Sequence, residues 1–107
     1  MVILGPFYRQ LTMGGTMDTR RCVVRGRVQG VGFRWFVTRS AEQLGVRGTV
    51  RNRDDGAVEV VLQADDPASV EAMIDRLHRG PPGSRVQELE CEPMEGGFRY
   101  ARFEVIR

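Results

Sequence analysis

A chain of 107 residues and 12.1 kDa has room for one small domain with a single core. Its 16 basic residues are all arginine and face 14 acidic ones, for a formal net charge of +2. Arginine-only usage follows from codon bias as readily as from a binding demand, so the pI of 8.9 is not read as a nucleic-acid signal.

Cys22 and Cys91 form neither a CxxC pair nor a dense framework, and the expected state is two free buried thiols, although a fourth strand antiparallel to the first would bring Cys91 near Cys22. With His78 the only histidine, no metal centre is implied. Apolar runs are too short to cross a bilayer, and a cytoplasmic protein without membrane contact is expected.

Residues 1–17 read as an N-terminal extension, expected to be flexible, ahead of a domain spanning 18–107. The extension has no basic run before its apolar stretch, which argues against a signal peptide, and Met17 is a candidate translation start. Within the domain, residues 21–26 (RCVVRG) read as a strand. Phe33, Phe36, Val37, Ala41 and Leu44 then recur at helical spacing, predicting a helix over 33–44 that Gly45 stops.

Val46, Gly48, Val50 and Asn52 alternate with Arg47, Thr49 and Arg51, as in a half-buried strand. Asp55-Gly56 marks a hairpin turn, and Val58, Val60 and Leu62 carry the buried face onto the return strand. Asp66-Pro67 starts a second helix with an apolar stripe of Val70, Met73, Ile74 and Leu77, ended by Gly80-Pro81-Pro82. Glu88, Glu90 and Glu92 alternate with Leu89 and Cys91 in a fourth strand. In the closing FRYARFEVIR, Phe98 and Tyr100 fall out of step with Phe103 and Val105, predicting a bulge or bend in a last short strand.

The order βαββαβ plus a short extra strand predicts an α+β, ferredoxin-like two-layer sandwich: an antiparallel sheet with two helices on one face. Strands one and three take its centre, with strand four antiparallel to strand one.

GRVQGVGFR, residues 26–34, joins the first strand to the first helix. Three glycines there suit a tight turn. They suit equally a nest of backbone N–H groups closing on an oxyanion at a helix N-terminus. Arg34, in the helix's first turn, opposes the helix dipole, a cost that a bound phosphate would offset. There is no Walker lysine and no GxGxxG spacing, so the loop suits one phosphoryl group and not a nucleotide. Asn52 ends its strand facing inward, where it is either a turn asparagine or an amide able to orient water.

VRGRVQGVGFR and GTVRNRDDGAVEVV resemble, in order and spacing, the two signature stretches of the acylphosphatase family, and GPPGSRV and FEVIR are similar to its later landmarks. The resemblance covers residues 18–107. It implies a ferredoxin-like fold and an enzyme that hydrolyses the carboxyl–phosphate bond of acyl phosphates without metal or other cofactor. It further implies that Arg34 binds phosphate and Asn52 positions water. The backbone of Val28, Gln29, Gly30, Val31, Gly32 and Phe33 would cradle the phosphate, and inorganic phosphate is the expected product and inhibitor. Thr49 departs from the aromatic residue that many members carry, on the strand face opposite Asn52.

Two other readings share parts of this pattern. A carbamoyl-phosphate-binding module would use the same anion site. A single-stranded RNA-binding module would use the same sheet topology, but its aromatics belong on a central strand, whereas Phe33 and Phe36 fall at a turn and along a helix.

Overall fold

The computed structural model describes residues 17–95 and 97–107. Most of the expected extension therefore lies outside the described residues; Met17 is within them, its sulfur accepting a contact from Arg99 at 3.6 Å. The elements are β1 (Asp18–Arg27), α1 (Phe33–Leu44), β2 (Arg47–Asn52), β3 (Val58–Ala64), α2 (Pro67–Arg79), β4 (Arg85–Pro93) and β5 (Phe103–Val105). The sheet order is β4-β1-β3-β2-β5. β1 pairs antiparallel with both β3 and β4, as the crossover rules require.

One feature departs from the predicted sheet. β5 joins β2 in parallel, Phe103 opposite Gly48 and Val105 opposite Val50, so the five-stranded sheet is mixed. The expected bulged strand over the closing segment is also shorter, because only Phe103–Val105 pair. Phe98 and Tyr100 belong instead to the β4–β5 connection, which Gln63 ties down. The Gln63 amide donates to the Phe98 carbonyl at 2.6 Å and accepts from the Tyr100 N–H at 2.8 Å. Gln63 lies on the sheet face away from the helices, yet it is fully buried, because this connection covers it.

Both helices end where their sequences direct. The Gly45 N–H turns back to the Ala41 and Glu42 carbonyls in a left-handed cap. Asp66 caps α2, its carboxylate accepting the Ala68 N–H at 3.0 Å, with Pro67 at the first helical position. The core lies between helices and sheet: Val24, Val50, Val58, Val60 and Leu62 face Phe33, Val37, Ala41, Val70, Met73 and Leu77. At about 1.5–3 kcal/mol per buried large apolar side chain, this layer is the main favourable contribution to folding.

The thiols expected to be free are instead joined. Cys22 and Cys91 occupy directly opposed positions of β1 and β4, with Cα atoms 4.0 Å apart, and form a disulfide. The antiparallel pairing of strands one and four brings the two residues near each other, as the strand order allowed, but only the register sets them directly opposite.

Candidate active site

β1 ends in a loop that wraps to the start of α1. Gly30 (φ 74°) and Gly32 (φ 79°) adopt left-handed backbone, and no other residue type among those described does so. A Cβ at either glycine would meet no atom within 4 Å, so backbone conformation and not space calls for glycine here. Left-handed residues on either side of Val31 make a turn of the kind in which successive N–H groups can converge on an anion.

The helix begins immediately behind this loop. Gly32 is its N-cap and supplies no side-chain bond, and no acidic side chain lies in the first turn. The first intrahelical bond runs from the Phe36 N–H to the Gly32 carbonyl at 3.0 Å. The N–H groups of Phe33, Arg34 and Trp35 precede it and have no intrahelical acceptor, and they carry the positive end of the helix dipole.

A pocket of about 320 Å³ opens over this end of the helix. Of the residues singled out in the sequence, Val28, Gly30, Gly32, Phe33, Arg34 and Asn52 line it together. Arg34 has no carboxylate partner among the described residues. Asn52 reaches the pocket from the end of β2, and its Oδ1 is buried without a hydrogen-bond donor. Such an orphaned acceptor costs about 1–3 kcal/mol unless a donor meets it.

Gln29 and Val31 hold the loop from behind. Val31 packs against the core. The Gln29 amide donates to the carbonyls of Arg53 and Ala57, both at 2.9 Å, tying the loop to the β2–β3 turn. That turn is itself braced: Asp55 accepts the Ala57 N–H and pairs with Arg25 at 3.1 Å and Arg53 at 3.0 Å. These contacts hold the Asp55 carboxyl down at about 2, the backbone N–H of Ala57 contributing most.

The remaining lining residues, Trp35, Val105 and Arg107, were not identified from the sequence. Trp35 lies on the exposed side of α1, with the Arg39 guanidinium 5.1 Å from its ring centroid. Val105 and Arg107 come from the far end of the chain, carried in by the parallel pairing of β5. The FEVIR stretch that contains Val105 and Arg107 was singled out only as part of the family resemblance, with no role given to either residue.

A larger depression of about 630 Å³ lies on the open sheet face between Arg21, Val23 and Glu90. Its one arginine, Arg21, is already paired with Glu59 and Glu92, so it offers no free positive charge. No three His, Cys, Asp or Glu side chains cluster as metal ligands among the described residues. No helix among them is long and apolar enough to cross a membrane. Phe33 is buried and packs edge-on to Phe36 with centroids 6.1 Å apart, an apolar contact beneath the helix.

Known proteins similar to this chain are acylphosphatases and, among solved structures, also HypF: the crystal structure of HypF from T. kodakarensis superposes with a TM-score of 0.75 at 31% identity, across 84% of this chain and 12% of that one. The family model described as acylphosphatase matches residues 20–105. An acylphosphatase from Thermococcus kodakarensis is 55% identical over 80 residues, covering 71% of this chain and 87% of that protein. One from Koribacter versatilis is 49% identical over 87 residues, covering 81% of this chain and 78% of its own length. The crystal structure of acylphosphatase from Bacillus subtilis superposes with a TM-score of 0.80 at 32% identity, across 84% of this chain and 99% of that one.

Proposed function

This chain belongs to the acylphosphatase family, and from that membership we propose that it hydrolyses acyl phosphates by in-line attack of a water molecule aimed by Asn52. The observation that carries the reading is the buried, unpartnered Asn52 Oδ1 in the same pocket as Arg34 and the glycine loop. A water donating one hydrogen to that oxygen has its lone pairs free to attack phosphorus.

In this reading the Arg34 guanidinium and the loop amides hold the three non-bridging phosphoryl oxygens. Water oxygen bonds to phosphorus as the bond to the acyl oxygen breaks, and the carboxylate departs with its electron pair. The proton of the attacking water passes to a phosphoryl oxygen, and the products are a carboxylate and inorganic phosphate. Carboxylate is a good leaving group, so no strong general acid is required. A loose phosphoryl-transfer transition state asks little of the nucleophile. Positioning and charge stabilisation remain, and they are what an amide, a guanidinium and a nest of N–H groups can supply. His78, exposed on the last turn of α2, has no part in this chemistry.

The test is hydrolysis of acetyl phosphate beside a phosphate monoester, each with a chelator present. Chelator-resistant cleavage of the acyl phosphate alone is expected, with inorganic phosphate as a competitive inhibitor. Equal cleavage of the monoester, or loss of activity with chelator, would overturn the reading.

A further inference from the structure

The turn that joins α2 to β4 lies against the first residue of α1. α2 ends at Gly80, whose N–H returns to the Arg76 carbonyl at 2.9 Å. Residues 80–84 then close on themselves: the Pro81 carbonyl accepts the Ser84 N–H at 3.1 Å and the Ser84 hydroxyl at 2.6 Å. A Cβ at Gly80 would overlap Ser84 Oγ and stand 3.0 Å from Phe33 Cε2. The bare Cα is therefore what lets turn and ring meet.

Phe33 has no room to retreat. It is 2% exposed, packs edge-on to Phe36, and belongs to the core between helices and sheet. A close-packed interior transmits the displacement of one side chain to its neighbours instead of absorbing it. What the ring cannot absorb its own backbone takes up, and that backbone opens α1. Its N–H is one of the three donors left without an intrahelical acceptor at the end of the helix that faces the pocket. Contact thus runs from the turn, through a buried ring, to a backbone donor at the phosphate end.

Gly83, in the same turn, supplies the contrast. Its φ is also positive, 89° against 65° at Gly80, but a Cβ there would meet no atom within 4 Å. The demand on the backbone is common to both glycines; contact with Phe33 belongs to Gly80 alone.

We propose that Gly80 is a positioning residue for the phosphate end of the pocket: its missing side chain seats the 80–84 turn on Phe33 and so sets where the first N–H groups of α1 stand. The proposal rests on the acyl-phosphate reading above and adds to it a residue that never touches the substrate.

Gly80→Ala and Gly83→Ala test it, with acetyl phosphate as substrate and inorganic phosphate as inhibitor. A side chain at positive φ is strained in both, so both unfolding midpoints should fall. Only Gly80→Ala is expected to raise KM and weaken phosphate inhibition, by roughly three- to tenfold, less than the roughly 10²-fold that an ångström of displacement can cost. Its kcat should fall by less than its KM rises, since Asn52 is carried by β2 and not by α1. Adding Gly80→Ala to Phe33→Leu should cost little further phosphate affinity, because both changes act through one contact. In NMR of the unmutated protein, phosphate titration should shift the Gly80 amide resonance and leave that of Gly83 in place, a measurement that stands whether or not the variants fold.

Equal KM values in the two alanine variants, additive losses with Phe33→Leu, or a Gly80 resonance indifferent to bound phosphate would each overturn the positioning role and leave acyl-phosphate hydrolysis standing. A wild-type protein that neither cleaves acetyl phosphate nor binds phosphate would overturn both.

Discussion

Gln29 ties the phosphate-side loop to the strand end that carries Asn52: its amide donates to the Arg53 carbonyl, one residue past Asn52, at 2.9 Å. A second bond to Ala57 at the same distance closes the link across the β2–β3 turn. The two halves of the pocket therefore meet through one side chain. Gln29→Ala is expected to lower stability by about 1–3 kcal/mol, the value of two hydrogen bonds. It should also lower kcat, by less than removal of Asn52 does. A purely structural role for Gln29 would move the unfolding midpoint and leave kcat of the folded enzyme untouched.

Asn52→Ala should reduce kcat by roughly 10²-fold or more with little change in KM, because the amide acts on the attacking water and not on bound phosphate. Arg34→Ala should damage kcat and KM together and weaken inhibition by inorganic phosphate. Steady-state kinetics with phosphate titration separates the two roles. An Asn52→Ala enzyme with near-normal kcat would remove that residue from the reaction.

Gly32 needs a left-handed backbone and has open space beside it. Asparagine tolerates that conformation better than a β-branched residue. Gly32→Asn should therefore keep the fold and part of the activity, whereas Gly32→Val should lose far more of both. Thermal unfolding and kcat/KM on one acyl phosphate distinguish them; equal losses would point to a steric limit absent from the loop.

The Cys22–Cys91 disulfide spans 69 residues of chain. Constraining a loop of that length in the unfolded state contributes about 4 kcal/mol in the chain-entropy model. Reductant should lower the urea midpoint of the oxidised protein, and Cys91→Ser should match the reduced form. A midpoint indifferent to reductant would show that the bond adds nothing.

Acid should loosen the β2–β3 turn. The Asp55 carboxyl titrates at about 2 in the fold, held down first by the Ala57 N–H and then by Arg25 and Arg53. An unfolded aspartate titrates near about 3.9. Because the folded value is depressed, this contribution is complete above about pH 4 and is lost as pH falls through about 2. Glu59 and Asp65 shift the same way. Burial raises Glu59, but pairing with Arg21 and Arg51 outweighs it. Arg99 and Arg47 lower Asp65. Urea unfolding between about pH 5 and pH 2 should show the fall, with a shallower slope in Asp55→Asn.

What the sequence alone determined is local chemistry. The limits of α1, the Asp66 cap, the Asp55-Gly56 turn and the glycine loop each follow from residues within a few positions of one another. Helical spacing, capping and left-handed backbone act at that range, so Arg34 and Asn52 could be named as candidates before any fold was known. Only the tertiary structure decided what distant segments do to each other. It brought Val105 and Arg107 to the pocket that Trp35 also lines, buried Gln63 under the β4–β5 connection, and joined Cys22 to Cys91. A β register is chosen by the sum of packing across the whole sheet, and no short stretch of chain records that sum.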